Sequence, residues 1–153
     1  MAYDLSTVEK RVQFGTYWED YLLTKLNDKN LNFKKSVNNY CFFDFIRKDT
    51  SVPVIIEMKS IINTTNEDIF LVSVSKIESY RKLLINQPKT RFIFVYNQVV
   101  SIDDFQMYYY EINMKLIDDY EFFITTIQRN QTKYHEIPKR LFRVFKDDFS
   151  FLK

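Results

Sequence analysis

A chain of 153 residues with one glycine, Gly15, cannot build a glycine-rich phosphate loop. It holds no GxGxxG fingerprint and no Walker A sequence, so dinucleotide-binding and P-loop folds are excluded together. The same scarcity runs through other residue types. One cysteine, Cys41, rules out an internal disulfide framework and a multi-cysteine zinc site. One histidine, His135, argues against a histidine-rich metal centre or a Ser/His relay. Any chemistry must therefore come from carboxylates, lysines, hydroxyls and backbone.

Length fits a single domain, residues 1–153, able to bury a core of its own. No apolar run approaches the roughly 20 residues that span a bilayer, and no signal-peptide core is seen at the start. The expectation is a soluble, intracellular protein that does not engage a membrane. Net charge is only +2, which leaves a local basic face open. The 15 Phe and 11 Tyr fit an AT-rich codon bias better than a base-stacking surface.

Spacing predicts a helix over Ser6–Asn27, with Leu5, Val8, Val12, Gly15, Trp18, Leu22 and Leu26 on one face. Ser6 and Glu9 carry capping-box spacing. A glycine in mid-helix costs about 1 kcal/mol against alanine, so close approach of another backbone is expected at Gly15. A short strand follows at Leu31–Lys35. Tyr40–Lys48 and Val52–Lys59 read as strands joined by a turn at Asp49-Thr50-Ser51, an antiparallel hairpin. Ile61–Asp68 reads as a polar loop, Phe70–Val72 as a short extended piece, and Ser75–Asn86 as a second helix with capping spacing from Ser75 to Glu78. Arg91–Tyr96 reads as a buried strand. Gln106–Asn113 and Lys115–Phe123 look like strands, and Arg140–Phe145 like a strand or short helix. The order predicts an α/β (α+β-like) fold, a mixed central sheet flanked by helices.

Alternation along a strand puts Glu57 and Lys59 on one face with Ile55, roughly 6.6 Å apart, and Val54, Ile56 and Met58 on the other. A hairpin centred near Thr50 brings Asp44 beside Glu57 to within a residue or two of register. Two carboxylates suit a hard divalent ion such as Mg²⁺. Such an ion polarises a phosphodiester and eases deprotonation of bound water. A lysine one strand step away can orient or deprotonate that water, or stabilise the negative transition state. The same residues also fit an ordinary ion pair on a solvated face, and Asp44 a solvent-facing strand residue.

This ordered set resembles the PD-(D/E)XK nuclease superfamily, most closely its Holliday-junction-resolvase-type members. The matching residues are Phe14-Gly15-x-x-x-Glu19, Asp44 within Phe43-Asp44-Phe45, Glu57-Met58-Lys59 after Val54-Ile55-Ile56, and the Ser75–Leu83 helix followed by Phe92–Val95. The resemblance spans about residues 8–97. It implies a restriction-endonuclease-like core over about residues 6–97, with residues 98–153 completing the sheet or forming an interface. It implies Mg²⁺, with Mn²⁺ as a substitute, held by Asp44 and Glu57. Lys59 would assist the attacking water and Glu19 would support the metal site. Two departures stand out: Phe43 takes the place of a common proline, and Val37–Tyr40 that of a basic or glycine-rich loop.

The implied function is endonucleolytic hydrolysis of nucleic acid, DNA first, with junction or repair intermediates as the narrower expectation. An RNA-directed nuclease and a non-catalytic nucleic-acid-binding or assembly module remain open. Lys10, Arg11, Lys34, Lys35, Ser75 and Lys76 are candidate backbone contacts, Lys76 foremost because it follows the cap of the second helix. Arg81 and Lys82 are further basic candidates. Tyr108–Tyr110 and Phe122–Phe123 are either core or an apolar homodimer face. His135 is expected to be a surface or satisfied histidine, and Cys41 a small buried residue.

Overall fold

Helix α1 spans Val8–Asp28 in the computed structural model, which describes residues 3–36, 41–62, 68–119, 122–127 and 131–153. Its cap is Thr7, not Ser6. Thr7 is extended and its side chain accepts from the Lys10 amide at 3.1 Å, while the Ser6 amide donates to Asp4 instead. The buried face is Phe14, Trp18, Leu22 and Leu26, stepping by four. Val8 and Val12, expected on that face, are 67% and 60% exposed. Burial begins only at Phe14, where the Tyr3 ring packs edge-on. Gly15 also departs from expectation: a Cβ built there meets nothing within 4 Å, so no neighbouring backbone demands a glycine.

The strands are β1 (Lys34–Lys35), β2 (Phe45–Arg47), β3 (Val54–Ile62), β4 (Ile69–Ser73), β5 (Arg91–Ser101), β6 (Asp104–Glu111), β7 (Ile124–Ile127), β8 (Thr132–Pro138) and β9 (Arg143–Phe145). Helix α2 covers Val74–Asn86 and α3 covers Met114–Asp119. Six strands form a mixed sheet in the order β1-β2-β3-β5-β6-β9. Among the described residues only β3 and β5 pair in parallel, with Glu57 opposite Phe94. A second, antiparallel sheet runs β4-β8-β7. The fold is thus α+β. The apolar run of β5 is buried nearly throughout, as a strand covered on both faces requires. Strands β6 and β9 extend the sheet beyond it.

The last third corrects two expectations. Of the expected Lys115–Phe123 strand, Lys115–Asp119 is helix instead, because Asn113 caps the Leu116 amide at 3.1 Å and a helical turn buries Ile117. The small sheet had no counterpart in the sequence reading. Its β4 was visible only as an isolated extended piece, and its partner β8 lies far along the chain. Smaller differences concern ends. Among the described residues of the expected Tyr40–Lys48 strand only Phe45–Arg47 is a strand, and Ile61 and Ile62 belong to β3 rather than a loop. Helix α2 starts at Val74, and the Ser75 hydroxyl pairs with that of Ser73 instead of closing a box with Glu78. Residues Val37–Tyr40, Asn63–Asn66, Tyr120 and Glu121 lie outside the described residues.

Alternate residues of β3 serve two cores. Val54, Ile56 and Met58 pack with α1, whereas Ile55 packs with α2 and β4 residues. Tyr108 and Tyr110 are buried in the second core and Tyr109 stacks on Phe151 with centroids 3.7 Å apart, so this run is packing, not a free face. Phe123, at 80% exposure, is the member of those aromatic clusters that stands out. No helix among the described residues is long and apolar enough to cross a membrane.

Candidate carboxylate and lysine site

The β2–β3 hairpin sets the site. Its register pairs Phe45 with Ile56 and Arg47 with Val54. One step further, the Asp44 amide donates to the Ile56 carbonyl at 2.8 Å, so Asp44 falls opposite Glu57. Asp44 stands just before β2, where regular pairing ends. Its Oδ2 turns back to accept the Met58 amide at 2.9 Å, which holds the carboxylate at the sheet surface. Glu57, on the Ile55 face of β3, is 7% exposed.

Glu19 arrives from α1, one position past fully buried Trp18. Its carboxyl hydrogen-bonds that of Asp44, and so does Glu57. Three acidic groups therefore form a row with Asp44 in the middle. Carboxyls so arranged cannot all ionise cheaply. Burial, then the charge of Asp44, pushes Glu57 up to about 8 against the opposing pull of Lys76. Burial, then Asp44, pushes Glu19 up to about 7, with Lys35 opposing.

Two lysines meet the row differently. Lys76, in the first turn of α2, forms an ion pair with Glu57 Oε1. Lys59 shares the Glu57 face, as alternation predicts, but its Nζ lies 4.9 Å from the Tyr134 ring centroid and 6.0 Å from that of Tyr96. Glu57, Lys59 and Lys76 line a cavity of about 320 Å³ together with Ser73, Ser75 and Tyr134. Tyr134 and its neighbour Thr132 come from β8 of the small sheet. Sequence reasoning missed both, because nothing local in the chain marks a strand that reaches Lys59 only through tertiary packing.

The other candidate contacts are scattered. Lys10 pairs with Asp4 and the Arg11 guanidinium donates to the Leu5 carbonyl, both at the start of α1. At about 1.5 Å per residue, that start lies roughly two turns or more from Glu19. Lys35 pairs with Asp20 at 2.5 Å. Lys34 is exposed on edge strand β1 and lines a larger cavity, about 560 Å³, with Cys41, Phe43, Ile46 and Lys48. Cys41 is partly rather than fully buried. On α2, Arg81 is bound to Asp118 of α3 through two hydrogen bonds, at 2.8 and 3.1 Å. His135 is half-buried on β8, with burial lowering its pKa and Nδ1 left without a partner. It is not among the groups lining the carboxylate cavity.

The donor set fits a hard cation in kind. Asp44 and Glu57 supply carboxyl oxygens, and Mg²⁺ typically takes one or two carboxylates and keeps several waters. Among the described residues no three His, Cys, Asp or Glu form a ready-made metal cage. Glu19 comes from α1 and Glu57 from β3, and each meets Asp44. Comparison of the chain with protein-family models, with curated proteins and with solved structures found no match.

Proposed function

We propose that the chain is a Mg²⁺-dependent endonuclease with a restriction-endonuclease-like core, hydrolysing nucleic-acid phosphodiesters, DNA first. The observation that carries this reading is the meeting of Asp44 and Glu57 across the β2–β3 hairpin, with Lys59 on the Glu57 face and Glu19 behind Asp44. Clustered carboxyls with raised pKa values have a straightforward use: a cation supplies the charge they lack. Mn²⁺ would substitute for Mg²⁺.

A bound divalent ion would polarise the scissile phosphate and acidify a water. Asp44 and Glu57 would hold that ion. Lys59 would orient the attacking water or offset negative charge at phosphorus. The attacking water would give a proton to solvent as its oxygen bonds to phosphorus, a backbone P–O bond would break, and the departing oxygen would take a proton from a second water. Glu19 would fix Asp44 through their hydrogen bond. Lys34, exposed on β1, would be free to meet a phosphate along the strand. A junction substrate with two-fold symmetry would call for two such sites in a homodimer.

A second reading is a nucleic-acid-binding or assembly module without catalysis. One observation favours it: Lys76 already meets the charge of Glu57. The deciding experiment incubates the wild type, Asp44→Asn and Lys59→Met with Mg²⁺, Mn²⁺ or EDTA on four-way-junction DNA, duplex DNA, single-stranded DNA and RNA. The expected outcome is metal-dependent cleavage lost in both variants, the preferred substrate separating DNA from RNA and junction from linear. No cleavage by folded wild type on any substrate, with no Mn²⁺ binding, overturns the nuclease reading.

A further inference from the structure

We infer that Lys76 is a built-in counter-ion that competes with the divalent cation for Glu57, so that metal binding displaces it toward the substrate phosphate. The inference rests on the nuclease reading and deepens it. Its basis is a contrast between two lysines. The lysine of the Glu57-x-Lys59 pattern shares a face with Glu57, yet the ion pair with Glu57 Oε1 is made by Lys76, from another element. The two ends of that pair are unequally free. The Glu57 side chain is 9% exposed and fixed in the central sheet, whereas the Lys76 side chain is 35% exposed and belongs to the first turn of a helix.

Glu57 cannot retreat from the cavity, but Lys76 can swing, because a lysine stem has four rotatable carbons and its ammonium has an aqueous exit. A carboxylate oxygen engaged by an ammonium is not available to a metal at the same moment. Metal affinity is then reduced by the fraction of molecules in which the pair is closed. Once open, Lys76 still belongs to the wall shared with Ser73 and Ser75. Glu57 and Lys59 line the same cavity, so a released Lys76 would remain beside a phosphate drawn there by a cation on Glu57.

The test is direct Mn²⁺ binding by calorimetry, with no nucleic acid present, on wild type, Lys76→Met, Lys76→Arg and Asp44→Asn. Lys76→Met keeps the stem and removes the charge, and is expected to bind Mn²⁺ roughly tenfold tighter than wild type. Lys76→Arg keeps the charge and is expected within about threefold of wild type. A Lys76→Met variant that is folded and binds no tighter, while wild type binds in an Asp44-dependent way, overturns this inference and leaves the nuclease reading standing. Absence of binding in folded wild type and Lys76→Met alike removes both. Should Lys76→Met fail to fold, amine labelling of wild type with mass-spectrometric readout decides. Lys76 is expected to label faster with saturating Mn²⁺ while exposed Lys82 on the same helix is unchanged; a Lys76 rate unchanged or slowed by Mn²⁺ overturns the inference.

Discussion

The two faces of the central sheet are built from the same strands and behave differently. Toward α1, β3 and β5 present Val54, Ile56, Met58, Ile93 and Val95, all nearly dry against Trp18, Leu22 and Leu26. Toward α2 and the small sheet, the intervening positions hold Ile55 and Phe92 but also Glu57 and Lys59. Aromatic rings cover that second face, and Phe70 stacks on Tyr96 with centroids 4.0 Å apart. The lesson is that one alternating strand can supply a stability face and a chemistry face, each set by what packs over it. The polar groups survive burial on the second face because Lys76 pairs with Glu57 and the Tyr134 and Tyr96 rings face the Lys59 ammonium.

The sharpest way to break the contrast is to damage each face separately. Trp18→Ala removes a fully buried side chain from the α1 face. It should cost about 3–5 kcal/mol of unfolding free energy in urea titration. Glu57→Gln, on the other face, should abolish metal-dependent cleavage yet leave the metal-free protein no less stable at pH 8. It removes a carboxyl that is costly to ionise and leaves Lys76 with access to water. A loss of several kcal/mol from Glu57→Gln would mean that the pair with Lys76 is a structural strut.

Next in size is the effect on turnover of Lys59→Met, about 10²- to 10³-fold in cleavage rate, the range expected when one preorganised group that stabilises the transition state is lost. Unaltered single-turnover rates would move the chemistry away from Lys59.

A pH series sharpens the comparison further. Glu57 and Glu19 have folded-state pKa values raised to about 8 and about 7, from an ordinary value of 4.5. The native state therefore binds more protons than the unfolded state between these limits. Their contribution to stability is fully present below about pH 4.5, is lost as pH rises through 7 and 8, and is flat above. Thermal melts of the metal-free protein should fall over that window. The fall should shrink in Glu57→Gln and with added Mg²⁺. Melts that rise from pH 5 to 8 would contradict the raised carboxyls.

The smallest effect expected is a gain. Gly15→Ala places a methyl where nothing lies within 4 Å, in the middle of α1. It should stabilise the protein by up to about 1 kcal/mol, read as a higher midpoint in urea. Destabilisation would reveal a close contact on that side of the helix.

Much of the site was legible because its parts are local or periodic. Asp44 and Glu57 were brought together by one short hairpin, whose register follows from the turn at Asp49–Ser51 and the alternation of Val54–Lys59. Glu19 was named only through the resemblance carried by Phe14-Gly15-x-x-x-Glu19, and its place beside Asp44 came from the packing of α1. Lys76 was named for phosphate, yet its partner is Glu57, since strand-to-helix distance across a sheet is invisible in the chain. Tyr134 was missed for the same reason, and the chain gave no sign that Asp4 and the Leu5 carbonyl engage Lys10 and Arg11.

The chain by itself determined the main helices, the hairpin and the alternation that sorts β3 residues between two faces. These depend on contacts a few residues apart and on side-chain period. The tertiary structure alone decided where burial starts along α1, that Asn113 opens a helix where a strand was expected, and that β8 crosses to β4 to roof the cavity. It also decided which lysine meets Glu57. The physical reason is that burial and charge pairing depend on distance in space, and the packing of distant segments sets that distance.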